Sequence, residues 1–474
     1  MLKLPADVKG KGRIRIGFIG LGISNLGVLH ALCDAGIPAQ YTVRVREVSA
    51  PPAGLPPGTR WLCGGGYLDG IAEDLLVLSP AVRPDLPALR KAAAAGTVLT
   101  SDADLFFRQV QGHVFAVTGS DGKSTTTALT GALLRQSGRF SSVTVAGNIG
   151  KSLTESLSTD GCGAAFATEL SSFQLMSLSP RSERAVITNL TPNHLNWHTS
   201  PEEYREAKFR LFTACREPVL NADDPALFPA LGGRAPFAAF SVTREACDLA
   251  RTGAQVICTR EGDGICLCGV PVLRLSDIPM PGIHAVKNVM AALCLTYGYL
   301  APAAARDAVR TFVPLPHRAQ TLGVRDGVTY IDSSIDSTPA RTAATLAGIR
   351  PTVILLLGGR GKGVPLTPLR EPVARAARAV ILFGEIQEAL ADVFRGDARF
   401  GAGGIPVFCT GTLAGAVGKA QEIARPGDTV LLSPGATSFD EFRGFGERGQ
   451  VFARLCGFPA GEKVKNTRNE GKGT

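Results

Sequence analysis

The sequence predicts an α/β fold in three domains, each built on a largely parallel sheet. Three observations predict it. Short apolar runs alternate with stretches that suit helices, the pattern of βαβ units. The runs end in glycine-rich or polar turns, as strands do at the rim where an open parallel sheet binds ligands. A chain of 474 residues also makes about three domains of ordinary size.

Composition narrows the class. Hydrophobic residues at 45% and charged residues at 19% describe a globular chain rather than a disordered one. No apolar run approaches the ~20 residues that span a bilayer, and no signal-like apolar region opens the chain, so no membrane insertion is expected. The eleven cysteines are scattered from Cys33 to Cys456, which fits reduced thiols in the cytoplasm. Cys258, Cys266 and Cys268 form no C-x-x-C pair, and no zinc site is expected. The net charge of +9 is dispersed, without an aromatic and basic stripe. Anionic small molecules are therefore the expected partners, and nucleic acid is not.

Residues 1–12 read as a mobile, basic lead-in. A strand at 13–19 runs into Gly20-Leu21-Gly22-Ile23-Ser24-Asn25 and a helix to about Ala35, a tight turn able to hold a pyrophosphate. Asn25 stands where the dinucleotide fingerprint has its third glycine. No acid ends the next strand, 41–45, where Val45 and Arg46 stand. Apolar runs at 74–78, ending in Ser79-Pro80, and at 96–99 complete a first domain over 1–108.

The second domain, 109–313, opens on HVFAVTGSDGKSTTTALTGALL, His113 to Leu134. Strand, glycine turn and helix N-terminus make an anion site. The amides of Gly119, Ser120, Asp121 and Gly122 and the positive helix end face a phosphate. Lys123 adds a point charge, and the Ser124 hydroxyl, next to Thr125, can ligate Mg²⁺. The eight-residue phosphate-loop pattern wants a glycine at Val117, so this is a contracted G-x-x-G-K-S. Strands at 143–146, 164–168 and 185–190 end at Gly147-Asn148-Ile149-Gly150, at Glu169 and at Thr191-Pro192-Asn193-His194. Glu169 and His194 thus follow strand ends, where Mg²⁺ ligands belong; a carboxylate suits that ion better than an imidazole does. Ser200 caps a helix from Pro201, with Glu203 three residues on, and Tyr204, Lys208 and Leu211 share one face. A lysine on such a stripe either snorkels or sits near the phosphate site. In the second case a bare ammonium repels Mg²⁺, and charge favours a carbamylated lysine. Residues 232–280 read as short strands and turns, and Pro281-Gly282-Ile283-His284 enters a helix carrying Asn288.

The third domain, 314–474, begins at the connector Leu315-Pro316-His317-Arg318. Its strands, at 328–331, 352–357, 380–383 and 429–432, end in Asp332-Ser333-Ser334, Gly358 to Lys362, Gly384-Glu385 and Ser433-Pro434-Gly435. The last fourteen residues read as a disordered tail.

In order, the chain carries GLGISN, LSPAV, TGSDGKST, GNIG, ELSSFQL, TNLTPNHLNWH, EEYREAKFRLF, NADD, PGIH, LPHR, GGRGKG and LSPGATSFDEFRGFGERG. This ordered set, covering almost the whole chain, resembles the Mur ligase family. The resemblance implies a monomeric amide ligase of peptidoglycan precursor synthesis with an N-terminal Rossmann-like domain, a central P-loop ATPase-type mixed sheet and a C-terminal Rossmann-like domain. The first domain would hold UDP-N-acetylmuramoyl-L-alanine through Gly20, Leu21, Gly22, Ser24 and Ser79. The second would hold ATP through Gly119 to Thr125 and Asn288, and two Mg²⁺ through Ser124, Glu169, His194 and carbamylated Lys208, with Asn148 nearby. The third would add His317, Arg318 and Asp332 to the nucleotide and Lys362, Ser438 and Phe445 to D-glutamate. Lys123, His194, Lys208 and Lys362 would take the catalytic roles. The final motif, with Ser438, Phe439, Asp440 and Phe445, points to the D-glutamate-adding branch.

The chain departs from the family pattern at Asn193, where many relatives have an acid, and at Ala285, where an asparagine often meets adenine. Ser333 to Thr338 lacks the lysine common in that loop. The rival readings are another acceptor, as in the L-alanine-adding relative or a folylpolyglutamate synthase, and a nucleotide-binding regulator that hydrolyses little.

Overall fold

The computed structural model describes residues 2–8, 13–48, 50–191, 197–280, 282–350, 352–401 and 403–459. His194, its neighbour Asn193, Pro281 and the C-terminal tail lie outside the described residues. Contacts divide the chain into two compact units, Met1–Ile278 with His284–Phe312, and Val313–Thr474 with Pro279–Ile283. Among the described residues no helix is long and apolar enough to cross a membrane.

The first unit holds two sheets. In the first, β1 (Ile14–Ile19), β2 (Ala39–Val45), β3 (Arg60–Cys63), β4 (Leu75–Leu78) and β5 (Val98–Thr100) pair in parallel, in the order β3-β2-β1-β4-β5. Its order reverses between β1 and β4, the crevice where such sheets bind ligands. The edge strand β3 is invisible to apolar periodicity because none of its residues is buried; pairing to β2 alone makes it a strand. The lead-in is not loose where it is described. Leu2 and Val8 are buried in the core, Ala6–Val8 is a 3₁₀ turn, and the Lys3 amide donates to Gln109 Oε1 at 2.8 Å. Two apolar side chains in a basic stretch suffice to anchor it.

The second sheet runs β6 (His113–Thr118), β7 (Ser142–Gly147), β8 (Ala164–Glu169), β9 (Ser182–Ile187), β10 (Cys215–Asn221), β11 (Ala238–Ser241), β12 (Val256–Glu261), β13 (Gly264–Leu267) and β14 (Val270–Arg274). They are ordered β14-β13-β12-β11-β10-β9-β6-β8-β7. All neighbours are parallel except the β12-β13-β14 meander, so the sheet is mixed. β9 starts three residues earlier than the apolar run suggested and stops at Ile187. Thr188 and Asn189 leave the strand because their side chains are taken by the loop after β6.

The two sheets share one apolar core, in which Phe106 meets Phe166 edge-on at 5.3 Å. The helix Ile23–Asp34 comes so close to the second layer that a Cβ on Gly27 would lie 2.0 Å from Ser152 Oγ. Beside this contact Asp102, 1% exposed, accepts the amides of Leu153 (3.1 Å) and Thr154 (2.8 Å). Burial outweighs those two donors and pushes the Asp102 carboxyl up to about 6. A raised folded value means that stability is complete below the unfolded value of ~3.9 and is lost as pH rises through the folded one. Asp102→Asn is therefore expected to remove a pH slope of stability between about 4 and 6, worth on the order of 2 to 3 kcal/mol. Denaturant melts of both proteins across that window check it; parallel pH profiles would refute it.

In the second unit β15 (Gln320–Arg325), β16 (Val328–Asp332), β17 (Val353–Gly358), β18 (Ala377–Phe383), β19 (Val407–Cys409) and β20 (Thr429–Leu432) are ordered β15-β16-β20-β17-β18-β19. Only β15 runs antiparallel to its neighbour. β17 is buried at every position, as a strand covered on both faces must be, and apolar clusters flank the sheet.

Candidate active site

The second sheet gathers its polar loops at one rim, because β6, β7, β8 and β9 all run the same way. Val117 is not a failed loop glycine. It is a strand residue, fully buried and paired with Glu169 on one side and Val186 on the other. The turn begins only at Gly119 (φ +147°) and ends at Gly122 (φ +78°). A Cβ at Gly119 would meet Thr188 Oγ1 at 1.9 Å, and one at Gly122 would meet Asn288 Oδ1 at 2.3 Å, so neither position admits a side chain.

Neighbouring loops hold this turn. Asn189 accepts the Asp121 amide at 2.9 Å through Oδ1 and donates to the Asp121 carbonyl at 3.0 Å; Thr188 Oγ1 donates to the same carbonyl at 2.5 Å. Ser120 Oγ donates to the Thr191 carbonyl and meets Tyr204 Oη, both at 2.8 Å. Gly122, in the left-handed conformation and without a side chain, starts the helix Lys123–Ser137, and a helix N-terminus of this kind suits an anion. Lys123 Nζ donates to the Ser120 carbonyl at 2.9 Å, and Ser124 is buried.

Lys208 does not snorkel. Its side chain is among the largest fully buried ones, with Nζ 2.7 Å from the Gly119 carbonyl, 3.4 Å from Thr118 Oγ1 and 4.8 Å from the Tyr204 ring centre. Burial, and then the charge of Lys123, hold its ammonium well below the ordinary lysine range, against the pull of Glu169 and Asp121. The helix Pro201–Thr213 delivers it from the face that Tyr204, Ala207 and Leu211 bury.

Glu169 ends β8 with 1% exposure. Asn148 Nδ2 donates to its Oε1 at 2.9 Å, while Oε2 is buried and has no hydrogen-bond partner among the described residues. Gly147 permits this approach, since its Cβ would strike the Glu169 carbonyl at 2.2 Å. Asn148 thus orients the carboxylate. A buried carboxylate oxygen left bare is costly unless a cation takes it. Among the described residues no three His, Cys, Asp or Glu side chains converge as a metal cage. An ion here would draw on Glu169, the Ser124 hydroxyl and phosphate oxygens, the mode Mg²⁺ prefers. The residues fit that ion; His194 adds nothing either way, being outside the described residues. Thr126 Oγ1 donates to Asn288 Oδ1 at 3.3 Å, joining the helix Ile283–Leu295 to the loop.

At the first sheet's switch point Gly20 (φ +74°) ends β1 opposite Ser79, whose Cβ a Gly20 side chain would meet at 3.1 Å. Asn25 explains the altered fingerprint. Its Nδ2 donates to the carbonyls of Ile19, Gly20 and Val77 at 3.1, 2.8 and 3.3 Å, and so pins β1 to β4 across the crevice. Gly22 and Ile23 are exposed at the start of the following helix, and Leu21 and Ser24 are half-buried there. Arg44, 2% exposed, pairs with Glu73 and so faces inward, away from any ligand role.

The second unit brings together another set. His317 (φ +61°) sets Nδ1 2.6 Å from Asp332 Oδ2, and a Cβ on Gly449 would strike both side chains. Arg318 is half-buried next to it. Phe445, 44% exposed, starts the helix Phe445–Leu455 edge-on to His317. Lys362 Nζ donates to Ser337 Oγ at 3.0 Å, which identifies Ser337 as the side chain of the 333–338 loop that meets the lysine. Ser438 is buried, and its carbonyl accepts the Phe442 amide at 2.8 Å.

Arg448 was not foreseen. Fully buried, it donates to Ser334 Oγ (3.0 Å) and to the carbonyls of Ser334 (2.8 Å), Ala436 (3.0 Å), Thr437 (3.0 Å) and Gly358 (3.5 Å). It thereby ties three rim loops together, at the cost of a guanidinium that burial lowers to about 10. The signal was present: positions 445, 448, 449 and 452 share one helical face, so an arginine there must point inward. Thr188 and Asn189 were likewise missed, hidden inside an apparent strand.

Residues 117–296 match the Mur ligase middle domain, and residues 317–435 match the Mur ligase, glutamate ligase domain. The chain is 36% identical over 454 residues to UDP-N-acetylmuramoylalanine--D-glutamate ligase of Symbiobacterium thermophilum, covering 93% of this chain and 97% of that relative. It is 35% identical over 452 residues to the ligase of the same name from Chromohalobacter salexigens, covering 92% and 95%. Among solved structures, UDP-N-acetylmuramate-alanine ligase of Thermotoga maritima aligns with a TM-score of 0.61 at 17% identity, over 94% of this chain and 99% of that one. A pseudomurein peptide ligase type C from Methanothermus fervidus aligns with a TM-score of 0.55 at 17% identity, over 89% and 96%. At such identities the likeness concerns the fold.

Proposed function

The chain belongs to the Mur ligase family, and from that premise we propose that it joins D-glutamate to UDP-N-acetylmuramoyl-L-alanine at the expense of ATP, as a cytoplasmic monomer. It is an ATP-dependent ligase of peptidoglycan precursor synthesis, and ATP and Mg²⁺ are the general requirement of its family. The observation that carries the substrate reading is the likeness to D-glutamate ligases over more than nine-tenths of the chain.

In this reading the alanine carboxylate takes the γ-phosphoryl group of ATP, the D-glutamate amine attacks the acyl phosphate, and phosphate leaves a tetrahedral intermediate. The work asked of the protein is positioning and charge balance. The turn amides and the helix end after Gly122 cradle the phosphates, and Lys123 offsets charge on the transferring group. Asn288 abuts the turn and bears on the nucleotide. Glu169, oriented by Asn148, together with Ser124 and His194, would hold Mg²⁺. Bound there, the metal supplies positive charge to the phosphate oxygens. We read Lys208 as a carbamate supporting a second ion. A buried, uncharged amine is the form that adds CO₂, and the resulting anion would balance Lys123, while its N–H still reaches the Gly119 carbonyl. His317, Arg318 and Asp332 are assigned to the nucleotide, Lys362, Ser438 and Phe445 to D-glutamate, and Gly20 to Ser24 with Ser79 to the donor. We keep 1–108, 109–313 and 314–474 as the proposed domain limits, a reading supported by one sheet falling within each.

Phosphate release from ATP should require both the UDP-linked donor and D-glutamate. Equal turnover with L-glutamate, or none with this donor, would sink the assignment.

A further inference from the structure

The loop after β4 and the start of the Lys208 helix are joined by contacts that the chemistry above does not use. Arg83 forks onto two carboxylates at once. It meets Asp85 of its own loop at 3.0 and 2.7 Å, and Glu203 of the Pro201–Thr213 helix at 3.0 and 2.9 Å. A fifth hydrogen bond runs from its Nη1 to the Trp197 carbonyl at 2.9 Å, and its guanidinium lies 5.1 Å from the Trp197 ring centre. The contact is reciprocal, because Trp197 Nε1 donates back to the Ala81 carbonyl at 2.8 Å.

This is more than a surface ion pair. Arg83 and Glu203 keep only 19% and 22% of their side chains exposed, and paired forks of this kind are the strong and directional sort. Glu203 is diverted to it: the sequence offers this acid for a capping box with Ser200, yet its carboxylate turns to Arg83 and to the Thr199 amide at 2.8 Å. The fork leaves the Glu203 carboxyl down at about 2, so the bond persists across ordinary pH.

Both ends of the bracket lead to the site. On one side Ser79 faces Gly20 across the first sheet's crevice. On the other, the residue after Glu203 is Tyr204, which holds Ser120, and one turn further on Lys208 holds Gly119. Pro80 and Pro84 stiffen the loop between, so that fixing Arg83 fixes Ser79.

We propose that Arg83 and Trp197 form a latch that keeps the donor-binding loop after β4 in register with the helix that carries Lys208, making Arg83 a positioning residue for the UDP-linked donor. This rests on the donor lying at the loops of β1 and β4. With the latch cut, the donor must order that loop itself, so the loss falls on its binding and is recovered at saturation.

Arg83→Ala is expected to raise the donor KM ~10-fold, with kcat and the KM of ATP held within about threefold. Trp197→Phe, which keeps an aromatic ring but loses the indole N–H and part of the ring face under Arg83, should shift the donor KM the same way by less. Arg83→Lys, a point charge that cannot fork, should restore little. An unchanged donor KM, or a fall in kcat with all KM values intact, overturns the latch while the ligase reading stands. Should Arg83→Ala fold poorly, Trp197→Phe carries the test. Amide exchange over 79–85 in the free protein reads the latch without any substrate. Faster exchange in Arg83→Ala than in the parent supports it, and equal exchange refutes it even if the donor proves to be another molecule.

Discussion

Lys208→Ala is expected to lose ~10²- to 10³-fold of donor- and D-glutamate-dependent phosphate release, and to regain part of it when short carboxylic acids are added. The size follows from position. Lys208 is fully buried under the phosphate loop, against the Gly119 carbonyl, and Glu169 and Lys123 both act on its charge. As a carbamate it would supply an anion at that spot, and alanine leaves room for a small carboxylate to stand in. The substitution also removes a donor to a buried carbonyl and opens a cavity, so some loss could come from packing alone. Lys208→Met separates the two, because it fills the space without the nitrogen. If packing governs, Met should restore activity and added acids should do nothing. If the carbamate governs, Met should stay inactive and the acids should help only the alanine variant. Full activity in Lys208→Ala would end the carbamate proposal.

Glu169→Gln is expected to do two opposite things: cut turnover by ~10²-fold or more and stabilise the metal-free protein. Among the described residues Oε2 of Glu169 has no hydrogen-bond partner, while Oε1 has Asn148. Glutamine keeps the shape and the acceptor for Asn148 but removes a buried charge that Lys208, itself held well below the ordinary lysine range, offsets only in part. The gain should be about 1 to 3 kcal/mol, seen as a rise of ~2 to 4 °C in Tm. Mg²⁺ should raise the Tm of the parent and leave that of the variant nearly unmoved, a readout independent of catalysis. A variant less stable than the parent without metal, or one that responds equally to Mg²⁺, would show that the carboxylate serves the fold instead.

Much of the site could be read from residue order, and the failures share a cause. Gly119 to Ser124, Glu169 and Lys208 are legible because each stands at a position that local pattern defines, namely a turn, a strand end or a helix face. Thr188 and Asn189 were hidden because β9 gives up its last residues to a tertiary contact, and strand propensity continues past that point. Asn25 looked like a defect in a glycine fingerprint. It is a strut for which the three carbonyls at the β1–β4 crevice provide the acceptors. Arg448 sits in a motif that was seen, yet only its enclosure by three rim loops gives it a role. Over residues 2–8 the lead-in is anchored because two apolar side chains decide its place, although charge dominates its composition.

By itself, then, the sequence determined the α/β class, the contracted phosphate loop and the family, since alternation, turn chemistry and motif order are properties of neighbours along the chain. Only the tertiary structure decided which partners those residues meet. That Lys208 is buried rather than snorkelling, that Glu169 keeps one oxygen bare, and that Glu203 leaves its own helix cap for Arg83 all depend on groups far away in sequence. Burial and desolvation, which set the charge and hydrogen bonding of those side chains, exist only once the layers have packed.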